Sequence, residues 1–209
     1  MRKYGELPTS LGVHELVCKE MMYYQYLPIK MAGAMQAVWE DRLNPFSDLI
    51  SKCIFDFAYY FGNDNLDAAY IYLTVKNMYQ LPGCSFNREG WHSDGFMRED
   101  INYIWSDKFP TVFNHSHFSL TQEHKASILE MQEQSLPDHN LTYHANSLLR
   151  LDQYNIHKVA EITKPEMRTF FKLSISSEKY NLAGNSHNYL LDYDWDMKER
   201  GVSRNHPVK

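Results

Sequence analysis

Residues 90–96 read GWHSDGF, and the stretch holds two side chains able to ligate a metal ion, His92 and Asp94. In an extended segment, positions i and i+2 point to the same side, so the imidazole and the carboxylate would share a face. Two ligands do not make a site, and the same pair also reads as two polar residues in a turn that ends at Gly95. The chemistry depends on whether the rest of the chain supplies a third ligand.

Two histidines and one carboxylate on one face of an octahedron hold iron(II) in oxygenases and leave the other positions open for reactants. The missing ligand is then a histidine well downstream of Asp94. The chain has ten histidines, of which His14, His124, His187 and His206 sit in polar or terminal surroundings and read as solvated. His115 and His117 form an H-x-H pair that would share a strand face, a weaker candidate. His144 and His157 both fall in β-type runs, and each is followed by an arginine, Arg150 or Arg168. Between His144 and Arg150 there is little room for a turn and a new strand. His157 instead opens HKVAEIT, Lys164-Pro165-Glu166 makes a turn, and Arg168 opens RTFFKLSIS, which predicts neighbouring antiparallel strands. We take His157 as the third ligand. Period-two alternation puts Arg168, Phe170, Lys172 and Ser174 on one face.

The elements that must position these residues are legible in outline. NPFSDLISKCIFDFAYYFGN predicts a helix, with Asn44 as cap, Pro45 at its first position, Gly62 as its stop, and an apolar stripe through Phe46, Leu49, Ile50, Cys53, Ile54, Phe57, Ala58 and Phe61. AAYIYLTVKN then alternates, with Ile71, Leu73 and Val75 opposite Tyr70, Tyr72, Thr74 and Lys76, and predicts a half-buried strand. INYIW and PTVFN read as short strands. A second helix is expected near 121–134, capped at Ser119 or Thr121 and packed through Ile128, Leu129 and Met131. LTYHAN, LLRLDQY, HKVAEIT and RTFFKLSIS follow at the spacing of an antiparallel sandwich or barrel. The expected organisation is a single domain over 1–209. It comprises a mostly helical support layer over 1–65, a β core over 66–176 with the helical insertion, and an irregular segment over 177–209.

Composition narrows the function classes. A formal charge of −5 supplies no broad basic field for nucleic acid or an anionic membrane. Cys18, Cys53 and Cys84 are odd in number and widely spaced, which suggests neither a disulfide framework nor a thiolate zinc site and fits a reducing cytoplasm. Neither a signal peptide nor a membrane span is apparent.

H-x-D at His92 and Asp94, a distal histidine at His157 after a β-rich interval, and Arg168 eleven residues later resemble the Fe(II)/2-oxoglutarate-dependent oxygenases. The resemblance covers roughly Gly90 to Ser176. It implies a mainly β fold with supporting helices, built on a double-stranded β-helix (jelly-roll, cupin-like) core. It also implies Fe(II) on His92, Asp94 and His157, 2-oxoglutarate as cosubstrate with its far carboxylate on Arg168, and dioxygen as oxidant. A planar guanidinium suits that carboxylate because it grips with two parallel charge-assisted hydrogen bonds. The implied reaction is hydroxylation of a C–H bond with release of succinate and CO2. Asp94 favours hydroxylation over halide transfer, because related halogenases lack the carboxylate so that chloride can bind. Arg88, Trp91, Phe96, Tyr103 and Trp105 are candidate pocket residues, and Tyr72, Thr74 and Lys76 are possible polar partners of the cosubstrate. A small-molecule or nucleotide-sized substrate is expected. The alternatives are a base or residue within nucleic acid or protein, and a non-oxidative cupin-like metal-binding module.

Overall fold

The computed structural model describes residues 2–83 and 89–201. In chain order its elements are β1 (Thr9–Val13), β2 (Met22–Lys30), α1 (Ser47–Phe61), α2 (Asn63–Ala68), β3 (Tyr70–Gln80), β4 (Ile101–Ser106), β5 (Val112–Asn114), α3 (His124–Gln134), β6 (Asn140–Thr142), β7 (Ser147–Leu151), β8 (His157–Lys158) and β9 (Glu166–Ser176). The fold is mainly β. A six-stranded sheet runs β1-β7-β4-β9-β3-β2 and a three-stranded sheet runs β6-β5-β8, with every pairing within them antiparallel.

β9 organises the larger sheet, lying between β3 and β4 in continuous register. Its alternation separates two environments. Phe171, Leu173 and Ile175 pack with Ile71, Leu73 and Val75 of β3 and with Leu49, Ile50, Cys53 and Phe57 of α1, while Phe46 stacks on Phe171 at 6.1 Å. Each fully buried aliphatic or aromatic side chain here contributes roughly 1.5–3 kcal/mol relative to exposure. The opposite face carries Arg168, Phe170, Lys172 and Ser174, as alternation predicts, and faces the three-stranded sheet. β3 is buried on both faces, not half-buried: on its Tyr72, Thr74 and Lys76 side Tyr180 stacks on Tyr72, the Tyr26 amide donates to Thr74 Oγ1, and the Tyr23 ring lies 5.3 Å from the Lys76 ammonium.

Tyr103 and Trp105 lie on the α1 face of β4, in the main core and away from the inner face that carries Asn102 and Ile104. This corrects the expectation that they line a pocket. All six residues of β4 are buried, so alternation alone does not distinguish its two faces. Tyr103 donates its hydroxyl hydrogen to Asp56 Oδ2 at 2.8 Å, Arg150 donates to the same oxygen at 2.7 Å, and Trp105 Nε1 donates to His14 O at 2.9 Å. Asp56→Ala leaves a buried phenol and a guanidinium without their acceptor. It is expected to lower the unfolding free energy by about 2–4 kcal/mol in urea titration, and a loss below ~1 kcal/mol would refute this role.

Residues 1–65 hold two strands as well as helix, which corrects the expected mostly helical layer. β2 disguises itself because its register shifts between Tyr24 and Leu27 and again between Pro28 and Lys30, which breaks the period-two pattern. Its edge position tolerates Pro28. A 3-10 turn over Asp41–Phe46 contains Pro45 and precedes α1, so Asn44 does not cap it, and Gly62 at φ 92° ends it. α3 begins at His124 and is capped by the Glu123 carboxylate, which accepts from the Lys125 and Ala126 amides, while Thr121 bonds Glu130 instead. Met131 and Ser127 are its buried residues and Leu129 is exposed. HKVAEIT yields only the two-residue β8.

Among the described residues, the segment after β9 has no long regular element. It is anchored by Asn188, whose Nδ2 donates to Pro28 O and Val38 O at 2.9 Å each, and by Tyr180, stacked on Tyr72 at 4.2 Å. Among the described residues no helix is long and apolar enough to cross a membrane. Cys18 and Cys53 are free thiols, and Cys84 lies outside the described residues.

Candidate metal centre

His92 and His157, far apart in the chain, are joined by a reciprocal backbone pair: each amide donates to the other's carbonyl at 2.9 Å. In such an antiparallel pair the side chains stand directly opposite on the same face. The two rings accordingly meet at 4.6 Å between centroids. Their chain neighbours Trp91 and Ile156 turn the other way, into a cluster with Phe96, Phe118 and Met131 of α3. Trp91 and Phe96, expected to flank a pocket, therefore brace the ligand loop from behind.

The loop itself is shaped by glycine. Gly90 and Gly95 both have positive φ, 78° and 71°, and a Cβ would meet Gln132 Nε2 at 2.9 Å in the first case and Asp100 Cβ at 3.0 Å in the second. Gln153 fastens the loop, its carbonyl accepting from Ser93 Oγ at 2.5 Å and its Oε1 from the Met97 amide at 3.1 Å. Asp94 is thereby brought to the histidines, and one ligand atom from each of His92, Asp94 and His157 lies within 4.8 Å of the others.

Backbone carbonyls set the tautomers. His92 Nδ1 is 2.9 Å from Gly90 O and His157 Nδ1 is 3.0 Å from Asn155 O. A carbonyl only accepts, so each Nδ1 carries the hydrogen and each neutral ring has its lone pair on Nε2. This is the arrangement in which an imidazole ligates a metal through Nε2 while its other nitrogen is held by a carbonyl. His157 Nε2 lies 3.5 Å from Asp94 Oδ2. Two neutral imidazoles and a carboxylate suit a divalent transition metal, so the donor set fits the iron that the sequence resemblance implies.

The opposing sheet face is cationic. Lys172 Nζ lies 2.6 Å from Asp94 Oδ2 and 5.6 Å from the centre of the Tyr26 ring. Withdrawal from water would push the Asp94 carboxyl up, but the Lys172 charge first, and then His157 and His92 whenever their rings are protonated, outweigh it and hold the group well below the usual carboxylate range. Burial alone would lower the Lys172 ammonium, and Asp94, with Tyr26, reverses this and raises it. Further along the same face of β9, Arg168 is 2 % exposed. Its Nε donates to Lys108 O at 2.9 Å and its Nη2 to Phe109 O at 3.0 Å, which commits two of the five guanidinium hydrogens. Burial draws Arg168 down to about 10, against the pull of Asp107. Lys76, across from Phe170 on β3, is drawn down to about 8, by burial first and then by repulsion from Arg168 and Lys172.

The structure therefore brings His92, Asp94 and His157 together and places Arg168 and Lys76 on the facing sheet. It corrects one step of the sequence reading: His157 and Arg168 lie in different sheets, not on neighbouring strands. His144 is exposed in the turn before β7 and stands apart from the cluster, and the exposed His115 ring stacks on His139 at 4.9 Å. Arg88 lies outside the described residues. Sequence reasoning placed Lys172 on the right face but gave it no part in the site. The available signal was a second cation at i+4 from Arg168, on the same face of the strand. Tyr26 gave no signal, because it reaches Lys172 from an irregular stretch of β2 at φ 47°.

No protein-family model matches the chain, and no curated protein sequence matches it. Among solved structures, a C-terminally truncated thymine 7-hydroxylase from Neurospora crassa in apo form matches with a TM-score of 0.38 and 11% identity, over 74% of this chain and 61% of that one. This chain thus spans about three fifths of that structure's length, and a likeness this loose assigns neither fold nor function.

Proposed function

We propose that the chain is an Fe(II)- and 2-oxoglutarate-dependent oxygenase that hydroxylates a C–H bond of a small-molecule or nucleotide-sized substrate, releasing succinate and CO2. The observation that carries this reading is the convergence of His92, Asp94 and His157 within 4.8 Å, opposite a sheet face bearing the buried Arg168. Strand order supports a double-stranded β-helix in one domain. From β3 onward the chain passes to the His92 bridge, back to β4, out to β5 and β6, back to β7, out to β8 and back to β9, alternating between two facing sheets.

Each residue has a task in this reading. His92 and His157 present Nε2, Asp94 adds the anionic ligand, and the Gly90 and Asn155 carbonyls keep both rings in orientation. Arg168 receives the far carboxylate of 2-oxoglutarate, its position secured by the Lys108 and Phe109 carbonyls, and Lys76 adds positive charge beside it. When bound, the iron supplies activation of dioxygen, coupled to decarboxylation of 2-oxoglutarate. The protein holds the reactants in place and screens them from water between two sheets. Asp94 completes the ligand set and leaves no position dedicated to a halide.

The test is anaerobic addition of Fe(II) and 2-oxoglutarate to the full chain. A weak visible charge-transfer band from the chelate is expected, followed on admission of air by slow succinate formation without substrate. A metal-binding protein that yields neither band nor succinate would overturn the assignment.

A further inference from the structure

Lys172 is not accounted for by the reading above. Its ammonium contacts Oδ2 of Asp94, the same oxygen that stands 3.5 Å from the ligating nitrogen of His157. That oxygen is the one turned toward His157. A primary ammonium with its own positive charge therefore occupies the side of the carboxylate that a divalent cation needs. Both side chains are largely withdrawn from water, with Lys172 at 9% and Asp94 at 22% side-chain exposure, so the ion pair is poorly screened.

The lysine is also held in place from behind. β9 is paired along both edges, with Thr74 opposite Lys172 on β3 and Ile104 opposite it on β4. The irregular stretch of β2 places the Tyr26 ring 5.6 Å from the ammonium, and Tyr180 packs edge-on against that ring at 5.2 Å. The aromatic face gives the ammonium a second partner when the carboxylate is taken from it.

We infer that Lys172 is a built-in competitor of the metal: it neutralises Asp94 before metal arrives and must release Oδ2 when a divalent cation binds, so that it sets the affinity of the centre. The inference rests on the metal-centre reading above and adds to it a residue that weakens metal binding instead of assisting it. A lysine that merely oriented Asp94 would have the opposite effect, because its loss would loosen the ligand.

The sign of one measurement separates the two roles. Mn(II) alone, without 2-oxoglutarate, is titrated into the full chain, with the free ion followed by electron paramagnetic resonance. Lys172→Met and Lys172→Gln are both used, so that a packing defect in either is recognised, and circular dichroism verifies the fold. Both neutral variants are expected to bind Mn(II) at least about tenfold more tightly than wild type, since metal no longer has to break a buried charge pair. Lys172→Arg, which keeps the charge, is expected to gain nothing. Binding that is unchanged or weaker in the two neutral variants would overturn the competitor role while leaving the metal centre standing. Failure of wild type and both neutral variants to bind Mn(II) would remove the metal centre and this inference together.

Discussion

His157→Ala is expected to eliminate 2-oxoglutarate turnover and weaken metal binding by more than about a hundredfold, since even outer-shell changes cost ten- to hundredfold. His157 is the cleanest ligand to remove. Its backbone pairing with His92 does not depend on the side chain, so the bridge that shapes the site survives. The cavity left at a residue 5% exposed costs of order 1–2 kcal/mol, which a folded domain tolerates. Asp94→Ala is less informative, because it deletes a ligand and also strands the Lys172 ammonium, so metal loss and fold damage arrive together. His144→Ala serves as the control and should bind metal as wild type does. Retained metal affinity in His157→Ala, or its loss in His144→Ala, would reverse the choice of distal ligand.

Arg168→Met is expected to raise the concentration of 2-oxoglutarate needed for half-saturation by about a hundredfold, the scale of losing a buried bidentate charge contact. Metal affinity should change by no more than a few fold. The substitution keeps the length of the side chain but abandons the Lys108 and Phe109 carbonyls, so some loosening of the link between β4 and β5 accompanies it. Arg168→Lys separates the effects: it restores charge but not the planar fork, and should recover only part of the affinity. Wild-type affinity should also fall as pH rises through about 8, because Lys76 is charged below that value and neutral above it, while Arg168 stays protonated. Arg168→Met should keep a fall in affinity with pH but move it to higher pH, because one source of repulsion on Lys76 is gone. An unchanged 2-oxoglutarate requirement in the variant would remove Arg168 from the cosubstrate site.

The candidate ligands were legible because their chemistry and the β period act locally: His92, Asp94 and His157 announce themselves by residue type, and α1 by its apolar stripe. What was hidden depends on partners far away in the chain. The stretch from His157 to Arg168 looks like a hairpin, yet it crosses between sheets, and period-two alternation is identical whether the next strand pairs or crosses. Alternation along β4 points one face inward but does not say which, because β4 is buried on both sides and nothing in INYIW marks the side on which α1 lies, the side that takes Tyr103 and Trp105. Lys172 has no pattern of its own, and its meaning appears only once Asp94 is 2.6 Å away.

β9 holds the hydrophobic core and the cationic face on alternate residues of one strand. A slip of one residue against β3 and β4 would turn Arg168 and Lys172 toward α1 and bring Phe171 and Leu173 against the candidate metal ligands. Error in the chemistry and error in the folding are therefore the same event. A mispaired chain carries two buried cations where α1 expects hydrocarbon, so catalytically wrong forms are also the unstable ones and are removed by unfolding. The insertion or deletion of a single residue within β9 should thus be far less tolerated than a conservative substitution at any one position in it.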